Sequence, residues 1–487
     1  MPPVVPVLQS GILPRLVQLL SCGDAKVMFE AAWAVTNIAS TEHTQTVVDA
    51  GAVPPLVQGM MAADANLREQ CMWCIGNVSG EGPHLRDMLI GTPGCVEALL
   101  QNLAYPGNVS LLRNATWTLS NLCRGKPSPS IDFVTRVLPA LAFLTSHADQ
   151  ATVIDAVWGL SYLTDGDDAT INAVVSAPDV VKRCVELMQH QAIEVVTPAL
   201  RVIGNLISGN DRCTQAAVDA GALAKMVPLL SNSRKTIRRE ACWAISNIAA
   251  GTLEQITAMM LVPGLVQAVL MQLQAGEWAV RKEACWVIFN VATSGRPEHV
   301  SQMVAAGAID PLSAMLKSDD ARILVVALDA VGAVLDVSKK LDAANSRLIL
   351  DAFEEAGAVD ELEHLQNFSD TDVYEKAINL IEKHFPSEEE GGDADDELAE
   401  NFHGSGTLSA AAASLGGFGS AGAPCAAPTA GFPQQMAFSF GGPGTVAGQA
   451  APSAGFKTPP GSAAPPSGFS AMPPAAPAFN FGAFSFS

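Results

Sequence analysis

Residues 67–80 read LREQCMWCIGNVSG and residues 238–251 read RREACWAISNIAAG. Each has a tryptophan followed four positions later by an asparagine. Residues four apart on a helix share a face, so each pair projects together. The same spacing recurs along the chain at Trp33/Asn37, Trp73/Asn77, Trp117/Asn121, Trp158/Tyr162, Arg201/Asn205, Trp243/Asn247 and Trp286/Asn290, with a degenerate unit at Asp329/Ala333. First positions lie 40, 44, 41, 43, 42, 43 and 43 residues apart, which marks a tandem array of one supersecondary unit. For 487 residues, length alone suggests about three domains. The fixed period replaces that estimate with a single elongated stack in which each unit contacts its neighbours.

Residues 47–80 show the unit. A short helix (VVDA) is followed by a Gly turn, and a second helix opens at Pro54 and Pro55. A polar turn at Asp64 to Asn66 leads to a third helix closed by Gly80. Pro near a helix start and Gly past its end are the expected punctuation. The same grammar recurs in DAGALAKMVPLL (219–230), AAGAIDPLSAML (305–316) and EAGAVDELEHL (355–365). Three helices in about forty-two residues is the armadillo arrangement. The expected fold is all-α, a right-handed armadillo-repeat superhelical solenoid over residues 1–386. An acidic segment follows at 387–400, then a disordered tail at 401–487.

Composition excludes several function classes. The formal charge is -21, and residues 351–400 hold 18 acids against Lys376 and Lys383. A net acidic chain is a poor nucleic-acid binder and a good partner for basic ligands. No run of eighteen uncharged apolar residues and no basic-then-apolar leader is present, so neither a membrane span nor secretion is expected. Most of the ten cysteines sit inside apolar helix patterns, where free cysteine behaves as a small buried hydrophobe, and this suits a reducing compartment. Cys71 and Cys74 form a C-x-x-C, but no second pair or histidine stands at a zinc-like spacing, so a structural role is preferred to a redox or metal site. With no phosphate loop and no H-E-x-x-H, neither an enzyme nor a cofactor is expected.

Within the third helix, Gln70, Trp73 and Asn77 fall on one stripe, while Cys71, Cys74, Ile75 and Val78 face neighbouring helices. In other units the stripe begins with an acid three residues before the marker: Glu30, Asp155, Glu240 and Glu283. A lone tryptophan stripe at helical spacing is ordinarily core. The repeated asparagine reverses that weighting, because a buried carboxamide without partners costs a few kcal/mol. An extended peptide advances about 3.3 Å per residue and packed helices repeat roughly every 8 to 10 Å. Successive carboxamides can therefore meet a peptide backbone every two to three residues. Slots between indoles suit the stems of Lys or Arg, and the acids suit their charged ends. Tyr162 and Arg201 interrupt the ladder, leaving two clusters, Trp33 to Asn121 and Trp243 to Asn290.

These stretches, with FEAAWAVTNIAS (29–40) and WGLSYLTDG (158–166), closely resemble the importin alpha (karyopherin alpha) family over roughly residues 1–400, including the Tyr and Arg exceptions. The resemblance implies an armadillo adaptor that binds Lys/Arg-rich nuclear localisation signals, lies in cytoplasm and nucleus, and shuttles through the pore. It implies a major site of Thr46, Gln70, Trp73, Asn77, Glu81, Trp117, Asn121 and Asp155, flanked by the ladder residues Trp33, Asn37 and Trp158. The implied minor site is Arg201, Asn205, Asp211, Trp243, Asn247, Glu283, Trp286 and Asn290. The implied partners are cargo proteins, importin beta and an export receptor of the exportin class at the acidic C-terminal end.

Three departures stand out. Glu81 occupies the place of a usual Asp, lengthening its reach by one methylene. Thr41 replaces a Gly near the end of the first repeat. The family's basic N-terminal arm, which recruits importin beta, is absent from this sequence, whose first repeat begins almost at Met1. The preferred explanation is truncation, the other a divergent or regulatory form. After residue 400 the chain is Ala, Gly, Pro and Ser with one charge, Lys457, which cannot fold a core. Phe418-Gly419, Phe440-Gly441 and Phe481-Gly482 suggest a second use, contact with nuclear pore components, against the plainer reading of a flexible extension. Two other functions fit the sequence less well. A catenin-type scaffold needs rows of Lys and Arg in its groove, and an enzyme built on Cys71/Cys74 needs bound metal or thiol turnover.

Overall fold

The computed structural model describes residues 4–386, and every element in it is a helix. The acidic segment at 387–400 and the FG-bearing tail at 401–487 lie outside the described residues. Within them, contacts cluster into two compact units, residues 4–202 and 203–386, with the boundary inside helix Ile193–Ile207.

The repeating element is the third helix of each unit. In chain order these are α1 (Ala25–Ala39), α2 (Ala65–Gly80), α3 (Val109–Leu122), α4 (Gln150–Thr164), α5 (Ile193–Ile207), α6 (Lys235–Ala249), α7 (Trp278–Ser294), α8 (Ala321–Ser338) and α9 (Thr371–His384). Side-chain caps start most of them. Asp24, Asp64, Asn108, Asp149, Asp320 and Asp370 each accept from a backbone N–H in the first turn of the following helix, a contribution of about 1 kcal/mol apiece. The Gly turn between the first two helices is real: Gly51 sits at φ 79° between Thr44–Asp49 and Val53–Gly59. In the fifth unit Asp179 takes the same left-handed conformation at φ 59°, which Asp tolerates better than most residues.

One unit departs from this grammar. Between α3 and α4 a single helix, Ile131–Leu144, replaces the two short ones, with Pro139 inside it. Its sequence IDFVTRVLPALAFL has no glycine to supply the turn, so the helix runs through.

The core lies between successive third helices and against the shorter helices outside them. On α2, Cys71, Cys74, Ile75 and Val78 are all buried, as the stripe pattern requires. Burial pushes the Cys71 and Cys74 thiols up, Cys74 to about 12, so both stay neutral and unreactive at physiological pH. Among the described residues no group of three or more His, Cys, Asp or Glu is placed to hold a metal, and no single helix is long and apolar enough to cross a membrane.

Candidate peptide-binding groove

In the first unit, α1 to α4 pack side by side and present one row of markers. Trp33 and Trp73 are 48% and 45% exposed, and Trp117 and Trp158 are half-buried. In the second unit Trp243 on α6 and Trp286 on α7 are half-buried too. None of the six ladder indoles is sequestered in the core.

Their orientation has a sequence cause one residue before each asparagine. A Cβ added at Gly76 would lie 2.3 Å from Cζ3 of Trp117, and one added at Gly204 would lie 2.6 Å from Cζ3 of Trp243. Each indole therefore rests against the preceding third helix at a residue with no side chain. The residues before the marker Asn or Tyr are Thr36, Gly76, Ser120, Ser161, Gly204 and Ser246, all small. Phe289 breaks the series where the next marker is Asp329, which brings no indole. It packs edge-on to Trp286 instead, at 5.2 Å between ring centroids.

The asparagines do not match their expected state. Asn77 Nδ2 donates to Thr36 O at 3.3 Å, Asn121 Nδ2 to Gly76 O at 3.1 Å, and Asn290 Nδ2 to Ser246 O at 2.8 Å. Each acceptor is the residue before the preceding unit's asparagine. The carboxamides thus staple one third helix to the next, so, contrary to the expectation from sequence, they do find partners in the packed stack. Each amide nitrogen keeps a second N–H and each keeps its oxygen, so a groove role survives alongside the structural one. Asn247 differs, since its Nδ2 is buried without a hydrogen bond. Asn37 is exposed and Asn205 is buried.

The flanking residues sort themselves by burial. Gln70 does not lie open in the groove: it is buried and its Nε2 donates to Thr36 Oγ1 at 2.8 Å. Thr46 is exposed on Thr44–Asp49, and the neighbour that the structure places beside Glu81 is Thr44, whose Oγ1 lies 3.3 Å from Oε2. Thr44 is the residue that sequence reading missed. The available signal was the T-x-T pair of residues 44–46, in which only Thr44 is buried and anchors to Ala39 O and Thr41 O. Asp211 is exposed at the start of the helix Asp211–Asp219.

The acids before the markers are not all open charges. Glu30 is exposed, whereas Asp155 and Glu240 are buried. Burial, with a smaller push from Asp149, raises the Asp155 carboxyl to about 7, and burial raises that of Glu283. Asp155 therefore waits half-neutral, and an arriving cation would favour its ionised form.

The break at the fourth unit is itself built. Trp158 and Tyr162 stack at 5.9 Å, and the Arg124 guanidinium sits 6.0 Å from the Tyr162 ring centroid. Arg124 is held there by the fully buried Arg86, which donates to Arg124 O, Gly125 O and Pro127 O at 2.8 to 3.1 Å and to Asp87 Oδ1 at 2.9 Å. A cation of the protein's own occupies this aromatic face.

Stacked three-helix units carrying such a ladder define an armadillo-repeat protein. The armadillo/beta-catenin-like repeat family matches residues 2–40, 40–80, 82–124, 210–250 and 296–332, and the atypical Arm repeat matches 348–401. Importin subunit alpha-1a of Oryza sativa subsp. japonica is 40% identical over 396 residues, 80% of this chain and 75% of that protein. Importin subunit alpha-3 of Arabidopsis thaliana is 39% identical over 402 residues, again 80% and 75%. Among solved structures, an engineered protein superposes with a TM-score of 0.69 at 27% identity, covering 78% of this chain and 90% of that one. The chain belongs to the importin alpha family. Membership supports a nuclear import adaptor role, not a catalytic one, and passage between cytoplasm and nucleus.

Proposed function

We propose that the groove binds extended Lys/Arg-rich nuclear localisation signals at two clusters. One is formed by α1 to α4 with Thr44, Thr46, Glu81 and Asp155, Gln70 supporting them from behind through its bond to Thr36, the other by Arg201, Asn205, Asp211, Glu283 and the markers of α6 and α7. The observation that carries this reading is the row of solvent-facing indoles seated on small residues, with acids beside them. Aliphatic stems of Lys or Arg fit between stiff indoles, adding about 0.5 to 2 kcal/mol each through cation–π attraction, and the carboxamides retain groups for a peptide backbone.

On this reading the adaptor links cargo to importin beta and is recycled by an exportin-class receptor at its acidic C-terminal end, while the FG dipeptides of residues 401–487 are a candidate contact for pore components, set against the plainer reading of a flexible extension. Titrating a labelled Lys-rich peptide and its Lys-to-Glu counterpart into the full chain tests the first claim. Saturable, salt-sensitive binding of the basic peptide alone is expected, and equal binding of both removes the reading. Co-purification with importin beta, with an exportin and with pore FG segments tests each partner separately, and a partner that fails to co-purify drops out.

A further inference from the structure

Beyond α7 the ladder changes chemistry. The three groove positions that hold Trp286, Asn290 and Thr293 on α7 hold Asp329, Ala333 and Asp336 on α8, and Lys376, Leu380 and Lys383 on α9. Lys376 Nζ lies 2.5 Å from Asp329 Oδ1, and Lys383 Nζ 2.5 Å from Asp336 Oδ1. Two ion-pair rungs thus replace indole and carboxamide. Because Gly332 and Ala333 leave the middle unfilled, a cavity of about 450 Å³ opens between the three helices, with Phe289, Leu328 and Leu380 among its apolar walls and Lys340, Lys376 and Lys383 at its edge. Lys340 is exposed and has no ion pair among those described. The lysines make this end hostile to a basic peptide and leave one cationic charge over after the two aspartates are matched.

We propose that this cavity is a docking site for an acidic segment bearing an apolar side chain, and that its occupant is the chain's own stretch from Glu388 to Phe402. That stretch, EEEGGDADDELAENF, has eight acidic residues, no Lys or Arg, and Leu398 and Phe402 to enter the apolar floor. It starts close by, since α9 forms one wall of the cavity and ends at His384. Running back from Lys383 to Lys376 covers about 10 Å at 1.5 Å per helical residue, while fifteen extended residues span up to about 50 Å. The reach therefore suffices for a reversal. Seating the segment sets its carboxylates against Lys340 and its apolar side chains in the space that a tryptophan of the regular ladder leaves empty. The consequence is a cationic-peptide groove that ends at α7 and an acidic plug beyond it.

Zero-length carbodiimide crosslinking of the full chain, read by mass spectrometry, tests this. Crosslinks from Lys340 or Lys383 to carboxylates of residues 388–400 within one chain are expected, and Lys26, which does not line the cavity, should give none. A labelled peptide of residues 387–403 should bind a full chain whose eight acids in that stretch are changed to Gln or Asn. Adding Lys340→Glu should weaken it at least tenfold and Lys340→Arg should leave it unchanged, both variants melting as the parent. Crosslinks only between different chains, crosslinks spread equally to Lys26, or peptide binding indifferent to Lys340→Glu would each overturn the proposal.

Discussion

At the scale of single residues, Asp155 and Gly76 do opposite jobs. Burial raises the Asp155 carboxyl to about 7, which leaves it about half-neutral at neutral pH. Between the unfolded carboxyl value near 4 and that folded value, the unfolded chain gives up its proton and the folded one keeps it. The group's contribution to stability is therefore fully present at low pH and is lost as pH rises through about 7. Asp155→Asn should make the unliganded protein relatively more stable at pH 8 than at pH 5, seen as a flatter melting temperature against pH. The same change should weaken a Lys-rich peptide more at pH 8 than at pH 6, measured by titration at both.

Gly76 matters by absence. A methyl there meets the rigid Trp117 ring at 2.3 Å, so Gly76→Ala should cost about 1 to 3 kcal/mol through overpacking and weaken peptide binding by moving the indole. A melt as high as the parent with unchanged affinity contradicts the seat. Asn121→Ala should lower stability by about 0.5 to 1.5 kcal/mol, since it removes the Nδ2 donation to Gly76 O while the Ser79 hydroxyl still donates to that carbonyl. Part of any affinity it loses is therefore structural, a distinction the sequence hid. The W-x-x-x-N spacing was plain, but a carboxamide's partner in the neighbouring unit depends on helix packing that no single unit encodes.

At the scale of elements, the third helices were legible because cap, apolar period and closing glycine all agreed, as in Asp64, the Cys71/Cys74/Ile75/Val78 face and Gly80. Helix Ile131–Leu144 was less so, for the punctuation that divides the other units is missing there. The clasp of Arg86 on the 124–127 loop was illegible, since an arginine in a helix reads as solvated until its burial is seen. Arg86→Met removes the donors from three carbonyls and should cost about 2 to 4 kcal/mol, measured by chemical denaturation. Loss of less than half a kcal/mol would show that water replaces the guanidinium without penalty.

At the scale of the whole molecule, the chain combines a row of indoles in each unit with a stretch, around Tyr162 and Arg124, where its own cation fills the aromatic face. The proposed class of ligand rests on the ladder and its acids, both of which are plain in the sequence. The division of labour was not, because Gln70 and Asp155 look equivalent to open groove residues in the sequence yet are buried in the fold. The most direct measurement is fluorescence titration of a labelled Lys-rich peptide against the full chain and its Trp73→Ala/Trp117→Ala variant, with melts recorded for both. Loss of about 2 to 4 kcal/mol, roughly 30- to 700-fold in Kd, with the fold intact is expected from two lost cation–π walls and their packing. Equal affinity in parent and variant would contradict a cationic strand lying between those indoles.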